Sequence, residues 1–271
     1  MAVDNAAADD TIQVAAGTYV ENVHLGSPAA PMTHPGITIR GAGKNNTFVV
    51  SAGISSQRPA GVLADIVFDI WSSDVTLEKL SIQHPEGPAL GRDIGVFVSP
   101  HGNNVTIRKC DISRHRTGSL LEPTAPGSRG VMVLRAKDTE ITKNSFSGNY
   151  EDHIHMPTSD SEISKNTITG ATRLGIVIIQ ETDTSNNSGN IISKNRVSHS
   201  GSDGIQIQGD NNTVIKNTVD DSGGADIKLC GIAAVGDCVK PFDVWAEASN
   251  NMIIKNRVDS IVDNGSANST D

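Results

Sequence analysis

Lys143 to Asn166, KNSFSGNYEDHIHMPTSDSEISKN, opens and closes on the same Lys-Asn pair, and its two asparagines are 22 residues apart. Three short pieces lie inside it: Ser145-Phe146-Ser147, His153-Ile154-His155-Met156 and Ser161-Glu162-Ile163-Ser164. Each alternates polar and apolar residues, which is strand periodicity, and polar turn residues separate them. If the pattern recurs, this stretch is one coil of a solenoid.

Working outward, it recurs in both directions. An alternating strand, a Lys, an anchor residue and a second strand appear at Val75–Ile82, Val105–Ile112, Ile141–Phe146, Ile163–Ile168, Ile192–Val197, Val214–Val219 and Ile253–Val258. The anchors Leu80, Cys110, Asn144, Asn166, Asn195, Asn217 and Asn256 are separated by 30, 34, 22, 29, 22 and 39 residues. A coil of about 22 residues holds three strands of about 4–5 residues with their turns, and the longer intervals are that coil plus insertions. A further strand precedes each pair: Phe68–Trp71, Val96–Val98, Val131–Val133, Ile154–Met156, Ile176–Ile178, Ile205–Ile207 and Ile227–Leu229. Its first and third residues are expected to face inward and its middle residue outward. The outward column then runs Asp69, Phe97, Met132, His155, Val177, Gln206, Lys228, and Gly95, Gly130, His153, Gly175, Gly204 and Asp226 precede it, the glycines there either giving a smooth channel floor or simply easing the turn into each strand. Asn at the bend tolerates left-handed backbone, and stacked amides can form a ladder, broken where Leu80 and Cys110 replace them. Residues 1–262 are read as this one domain, about eight rungs of three strands, and 263–271 as a disordered tail.

Composition agrees and excludes. Aromatics are 3 % of the 271 residues, too few for most globules, whereas aliphatic columns suffice in a narrow solenoid. A net charge of −9 argues against a nucleic-acid partner. No apolar run reaches the ~20 residues of a membrane span. The opening Met1-Ala2-Val3-Asp4-Asn5 shows no leader and reads as a trimmed start. Of three cysteines, Cys230 and Cys238 are close enough to bridge and Cys110 is left as a buried thiol. Lys79, Lys109, Lys143, Lys165, Lys194, Lys216 and Lys255 form a second column, either solubilising or a track for an anionic polymer.

The Gly-Ile-x-Ile strand, the turn ending in Asn or Asp and the following Ile-x-Lys-Asn-x-Val resemble the right-handed parallel β-helix superfamily of pectate lyases, alginate epimerases and NosD-type repeat proteins. The resemblance spans roughly residues 11–258 and implies an all-β, single-stranded solenoid. It also implies that an extended polysaccharide lies in a groove over the outward face of the Gly-Ile-x-Ile strands. Asp152-His153-Ile154-His155 after Tyr150 is similar in part to the Asp-Pro-His-Glu motif of the epimerases. A polyuronate lyase or C5-epimerase must neutralise a carboxylate, remove the adjacent proton and reprotonate. His153 and His155, two apart on one strand, are placed in the groove as bases with Tyr150 as acid and Asp152 beside them. Arg116, Arg129 or Arg135 would neutralise the carboxylate, and Gln206, Gln208 and Lys228 would bind substrate. No cofactor is assigned: a calcium site is not formed, since Asp152, Asp203 and Asp226 do not converge, and His153, His155 and Met132 offer a copper site no clear further ligand. The reading is a secreted or cell-surface monomer that binds an acidic polysaccharide and acts on it; the alternative is a non-catalytic binding or structural β-helix domain of a larger extracellular protein.

Overall fold

The computed structural model describes residues 3–53, 56–57, 63–86, 92–114, 127–148, 150–179, 187–230 and 248–270. Short β-branched runs between turn residues favour strands, and stacking them at about 4.8 Å satisfies their backbone groups. Each coil crosses three sheets in turn, for example Arg129–Val133, Glu140–Thr142 and Ser145–Gly148. Among the described residues the first sheet has ten strands, from Thr11–Val14 to Ser269–Thr270, and the second has eight, from Gly17–Val20 to Thr218–Asp220. The third also has ten, from Val23–Leu25 to Ile261–Asp263, including Ser56–Gln57, which pairs antiparallel at its margin. The other paired strands run parallel, each with its neighbour one coil away, and the architecture is a right-handed parallel β-helix. No helix among the described residues is long and apolar enough to cross a membrane.

Registered columns build the core. Ile154 lies over Ile176, Ile176 over Ile205 and Ile205 over Ile227, and all four are fully buried. The strand Ile227–Leu229 continues the third sheet, so it supplies the strand of the last large coil; Phe242-Asp243-Val244-Trp245 lies outside the described residues.

The asparagines form the expected ladder, with a different division of labour at the bend. The left-handed residue is the lysine: Lys79, Lys109, Lys143, Lys165, Lys194, Lys216 and Lys255 all have φ between 53° and 58°. Each is exposed, so its side chain leaves the bend while the next residue turns inward. Asn166 Oδ1 accepts from the Asn144 backbone N–H at 2.9 Å and from Asn144 Nδ2 at 3.1 Å, while Asn166 Nδ2 donates to the Ile141 carbonyl at 2.8 Å. The pattern repeats through Asn195, Asn217 and Asn256. It ends where Cys110 donates its N–H to Asn144 Oδ1 and has no amide to pass on. A second ladder, Asn190–Asn212–Asn251–Asn268, lines another bend.

That second ladder changes the reading of the carboxyl terminus. Residues 263–270, polar enough to suggest a disordered tail, are folded: Ser269–Thr270 pairs with Met252–Ile254, and Asn268 Oδ1 accepts from Asn251 N–H at 2.9 Å. One inward amide ties down a segment that has no aliphatic column of its own. Burial pushes the Cys110 thiol up to about 12, against hydrogen bonds to neighbouring backbone, so it is a structural group. Cys230 is disulfide-bonded, and Cys238 lies outside the described residues.

Candidate functional site

The outer face of the third sheet does not follow simple alternation. Asp152 pairs with Leu174 and Ile154 with Ile176, while His153 stands between them in a kink of the strand. The same kink occurs at Gly95, Gly130, Gly175 and Gly204, where the intended channel-floor residues turn inward. A Cβ on Gly175 would lie 2.4 Å from Val197 Cγ1, and one on Gly204 would lie 2.2 Å from Val219 Cγ1, both core side chains of the second sheet. Glycine is needed there because the bulged backbone passes too close to the opposite wall for a side chain.

His153 is the exception in that column, and it faces the interior. It is fully buried, its ring stands edge-on to Phe146 and Tyr150 with centroids 5.9 and 5.7 Å apart, and Nε2 bonds the Thr169 carbonyl at 3.0 Å. Burial lowers its pKa to about 4, against that hydrogen bond and the Asp152 charge. Tyr150 is likewise a core residue whose hydroxyl meets His84 Nδ1 at 3.0 Å and the Ser113 carbonyl at 3.3 Å. The expectation that His153, His155 and Tyr150 share the groove is therefore corrected. The kink shifts the alternation by one, so Asp152 and His155, three residues apart, share the outer face instead.

There Asp152 is the centre of a charged cluster. Arg173 Nη2 approaches its Oδ2 at 2.6 Å, His155 Nδ1 at 3.0 Å and Arg129 Nε at 3.2 Å. Burial alone would raise the Asp152 pKa; the Arg129 charge, the His155 hydrogen bond and the Arg173 charge outweigh it and hold the carboxyl well below the usual range. An ionised carboxylate can only accept, so His155 donates to it through Nδ1. Glu151 adds a second carboxylate to Arg173 at 2.9 Å and to Arg129 at 3.5 Å. Glu151 belongs to the rung whose residues concentrate the chemistry in the sequence, whereas nothing in the sequence alone points to Arg173. The pairing of Asp152 with Leu174 sets residues 151 and 173 side by side, so one coil of correct register would have found them.

The remaining predicted residues scatter. Gln206 and Lys228 follow His155 and Val177 in one outward column. Gln208 is two residues beyond Gln206, past the end of the strand Ile205–Ile207. Lys228 Nζ is 3.8 Å from Asp203 Oδ2. Arg135 is an exposed bend residue with φ 56°, outside the third-sheet strand. Arg116 lies outside the described residues. Most of the face is closed to solvent: Phe97, Met132, His155 and Gln206 are buried, and Ala64, Ile66, Ile94, Phe97 and Met132 form an apolar layer outside the main core.

A polar cluster missed from sequence occupies the interior near the amino-terminal half. Asp65, His84 and Asp93 have ligand atoms within 4.8 Å of one another, and all three are buried. Ser51 Oγ donates to Asp65 at 2.6 Å and Arg114 Nε to Asp93 at 2.8 Å. The repeated Asp-Ile pairs at 65–66 and 93–94 were its available signal. Asp203 and Asp226 spend oxygens on backbone, accepting from Ala225 and Asp259 N–H at 2.9 and 2.7 Å.

This fold defines the class, a right-handed parallel β-helix protein whose outer third sheet carries its concentrated polar chemistry. Residues 3–270 match the family model described as "Periplasmic copper-binding protein (NosD)", and the chain belongs to that family. Among solved structures it is similar to the A-module of the Azotobacter vinelandii mannuronan C-5 epimerase AlgE4, at 14 % identity and TM-score 0.52 over 91 % of this chain and 68 % of that one. It is also similar to ORF18 of Geobacillus virus E2, at 12 % identity and TM-score 0.53, covering 96 % of this chain and 51 % of that one. The Dettilon tailspike protein gp208 gives 12 % identity and TM-score 0.50 over 95 % of this chain and 58 % of that one. The chain thus spans about half the length of these two longer proteins. No curated protein sequence matches it.

Proposed function

We propose that the protein binds a polysaccharide along the outer face of its third sheet, in the periplasm or outside the cell. The observation that carries this reading is the line of polar side chains on that face, Arg129 and Asp152–His155 on two adjacent strands and Gln206 and Lys228 on two more, with the apolar Val177 strand between the pairs. Strands about 4.8 Å apart offer such groups at regular intervals to an extended chain. The family description supports a location outside the cytoplasm, and the epimerase and tailspike similarities are compatible in fold.

An acidic polymer is the preferred ligand class on this reading. Arg129, Arg173 and Lys228 supply the cations, each already facing a protein carboxylate. A uronate must exchange with one of these, and the Lys228–Asp203 contact at 3.8 Å is the loosest. Turnover is a narrower matter. With Tyr150 and His153 in the core, lyase or epimerase chemistry would rest on His155, oriented by Asp152 as base, without the expected acid. The binding reading therefore stands ahead of the enzyme reading.

Copper, which the family description suggests, does not fit the donors described. His155 and Met132 lie side by side in register, but among the described residues no third soft or imidazole donor joins them. The Asp65–His84–Asp93 group is an oxygen-rich interior cluster already holding Arg114.

Isothermal titration with alginate, polygalacturonate and a neutral glucan tests the proposal. Binding of an acidic polymer, weakened at least tenfold by Lys228→Ala, is expected; no binding of any polysaccharide overturns it. Absorbance near 235 nm and proton NMR of the same mixtures are expected to show no unsaturation and no epimerisation, and either signal, lost in His155→Ala, would restore the enzyme reading. Sedimentation is expected to show a monomer.

A further inference from the structure

The amino-terminal end of the third sheet's outer face carries a group of rings at the protein surface. Its outer column runs His24, Asp69 and Phe97 in register. Trp71, two residues after Asp69, leaves the chain on the same side. Its ring meets Phe97 with centroids 6.2 Å apart and 43° between planes, and His101, in the turn after the next strand, at the same distance with 32°. Phe97 is buried in the apolar layer outside the main core, whereas Trp71 is half-buried at the margin of that layer. His24, Met32 and His101 are exposed. Met32 donates its N–H to the Trp71 carbonyl at 3.3 Å, so its loop runs beside the same spot.

The indole is held in one orientation. Trp71 Nε1 donates to Asp69 Oδ1 at 2.8 Å, and Asp69 is itself buried. With that N–H spent on the protein, what Trp71 offers outward is hydrocarbon ring. His24 Nδ1 stands 3.6 Å from Asp69 Oδ2, and the His24 side chain is 44 % exposed. That separation exceeds a direct hydrogen bond and is one that a bridging hydroxyl spans. A carboxylate has about four lone-pair sites, so Asp69 accepts a hydroxyl in addition to the indole N–H.

These features narrow the ligand. The accessible apolar side chains here are Trp71 and Met32, against the roughly 20–30 residues a side of a stable protein interface, so the patch suits a single ring. The negative face of an aromatic ring attracts polarised C–H groups. A carboxylate at its edge accepts from hydroxyls and repels another anion. A pyranose without a carboxyl group has the matching form, C–H on one face and hydroxyls at the rim.

We propose that Trp71, flanked by His101 and edged by Asp69 and His24, is a stacking subsite for a neutral sugar residue. The C–H face of the sugar would lie on the indole, and a hydroxyl would donate to Asp69 and face His24. This deepens the polysaccharide reading and rests on it. Asp69 and His155 are three strand spacings apart in one column, roughly 14 Å, so one extended chain would meet the stacking subsite and the charged cluster with different sugars. No covalent step is involved.

The test titrates the protein with cellohexaose, mannohexaose and xylohexaose as neutral probes and with alginate as the acidic one. At least one neutral hexamer is expected to bind, with a loss of about tenfold in Trp71→Ala and of about threefold or less in Trp71→Phe, which keeps the ring. Should Trp71→Ala fail to fold, the Trp71 indole N–H resonance of the unaltered protein, one of two tryptophans, is expected to move with the same hexamer in NMR spectra. Alginate binding without a response of Trp71 to any neutral hexamer overturns the subsite and leaves the broader proposal standing. Self-association in sedimentation that Trp71→Ala abolishes would assign the patch to a second copy of the chain and overturn the subsite as well. Absence of binding to every polysaccharide overturns both.

Discussion

The two halves of the solenoid handle polar groups in opposite ways. From Asn144 onward two amide ladders occupy the bends, and the interior between the sheets is mostly aliphatic. Before Asn144 the bends hold Leu80 and Cys110, and the buried polar groups have moved inside, to Ser51, Asp65, His84, Asp93 and Arg114. A regular coil lets one amide serve backbone groups above and below it. The coils of 30 and 34 residues before Asn144 lack that bend amide, and ionic contacts are buried inside them instead. His153 and Tyr150 lie where the two arrangements meet, touching each other, Phe146 and His84.

The contrast can be broken most forcefully at Arg114. Arg114→Met leaves the buried Asp93 carboxylate without its guanidinium and is expected to lower stability by about 3–5 kcal/mol in chemical denaturation. A loss under about 1 kcal/mol would mean the cluster is not an ionic support.

The next effect belongs to pH at the junction. The folded-state pKa of His153, about 4, is below the ordinary imidazole value of 6.5, so the unfolded chain binds more protons between these values. Stability is then expected to rise with pH across that window, by roughly 3 kcal/mol, and to be lost as pH falls toward 4. Asp152, with its lowered pKa, adds loss in the same direction at more acid pH. His153→Ala is expected to flatten the profile between pH 4 and 6.5 whatever its absolute stability; an unchanged slope would place the proton elsewhere.

The ladders sharpen the comparison further. Asn166→Ala removes bonds to Asn144, Ile141 and Asn195 and is expected to lower stability by roughly 2–3 kcal/mol. Cys110→Ala, where the ladder has already ended, is expected to lose about 1 kcal/mol, mainly in packing. Equal losses would erase the distinction between the halves.

The smallest effect serves as a control. Every lysine at the bend is left-handed, so Lys165→Gly and Lys79→Gly relieve the same strain and are each expected to gain about 0.5–1 kcal/mol in thermal unfolding. A gain in one half alone would show that the bends differ in backbone as well as in side chain.

Much of this was legible in the residues. Anchor spacing, inward Ile and Val columns and the Asn ladder follow from local patterns that each coil repeats. Gln206 and Lys228 keep the register that the repeat implies, because they follow the kink, where the coils pair residue for residue. The placement of His153 and Tyr150 does not survive, nor does the glycine channel floor. A bulge inserts one residue without leaving a mark in the polar–apolar pattern, and Gly at the same place in neighbouring coils was as consistent with a smooth groove as with a crowded wall. Asp65 and Asp93 are register partners in the third sheet, and the cluster escaped because His84 reaches them from a strand of the second sheet.

By itself the sequence determined the period, the handed bends and the columns, since these depend on contacts between like positions one coil apart. Only the tertiary structure decided which polar groups meet. Asp152 finds His155, Arg129 and Arg173 because a backbone kink changes the phase of the third sheet, and that kink is set by how closely the opposite wall packs.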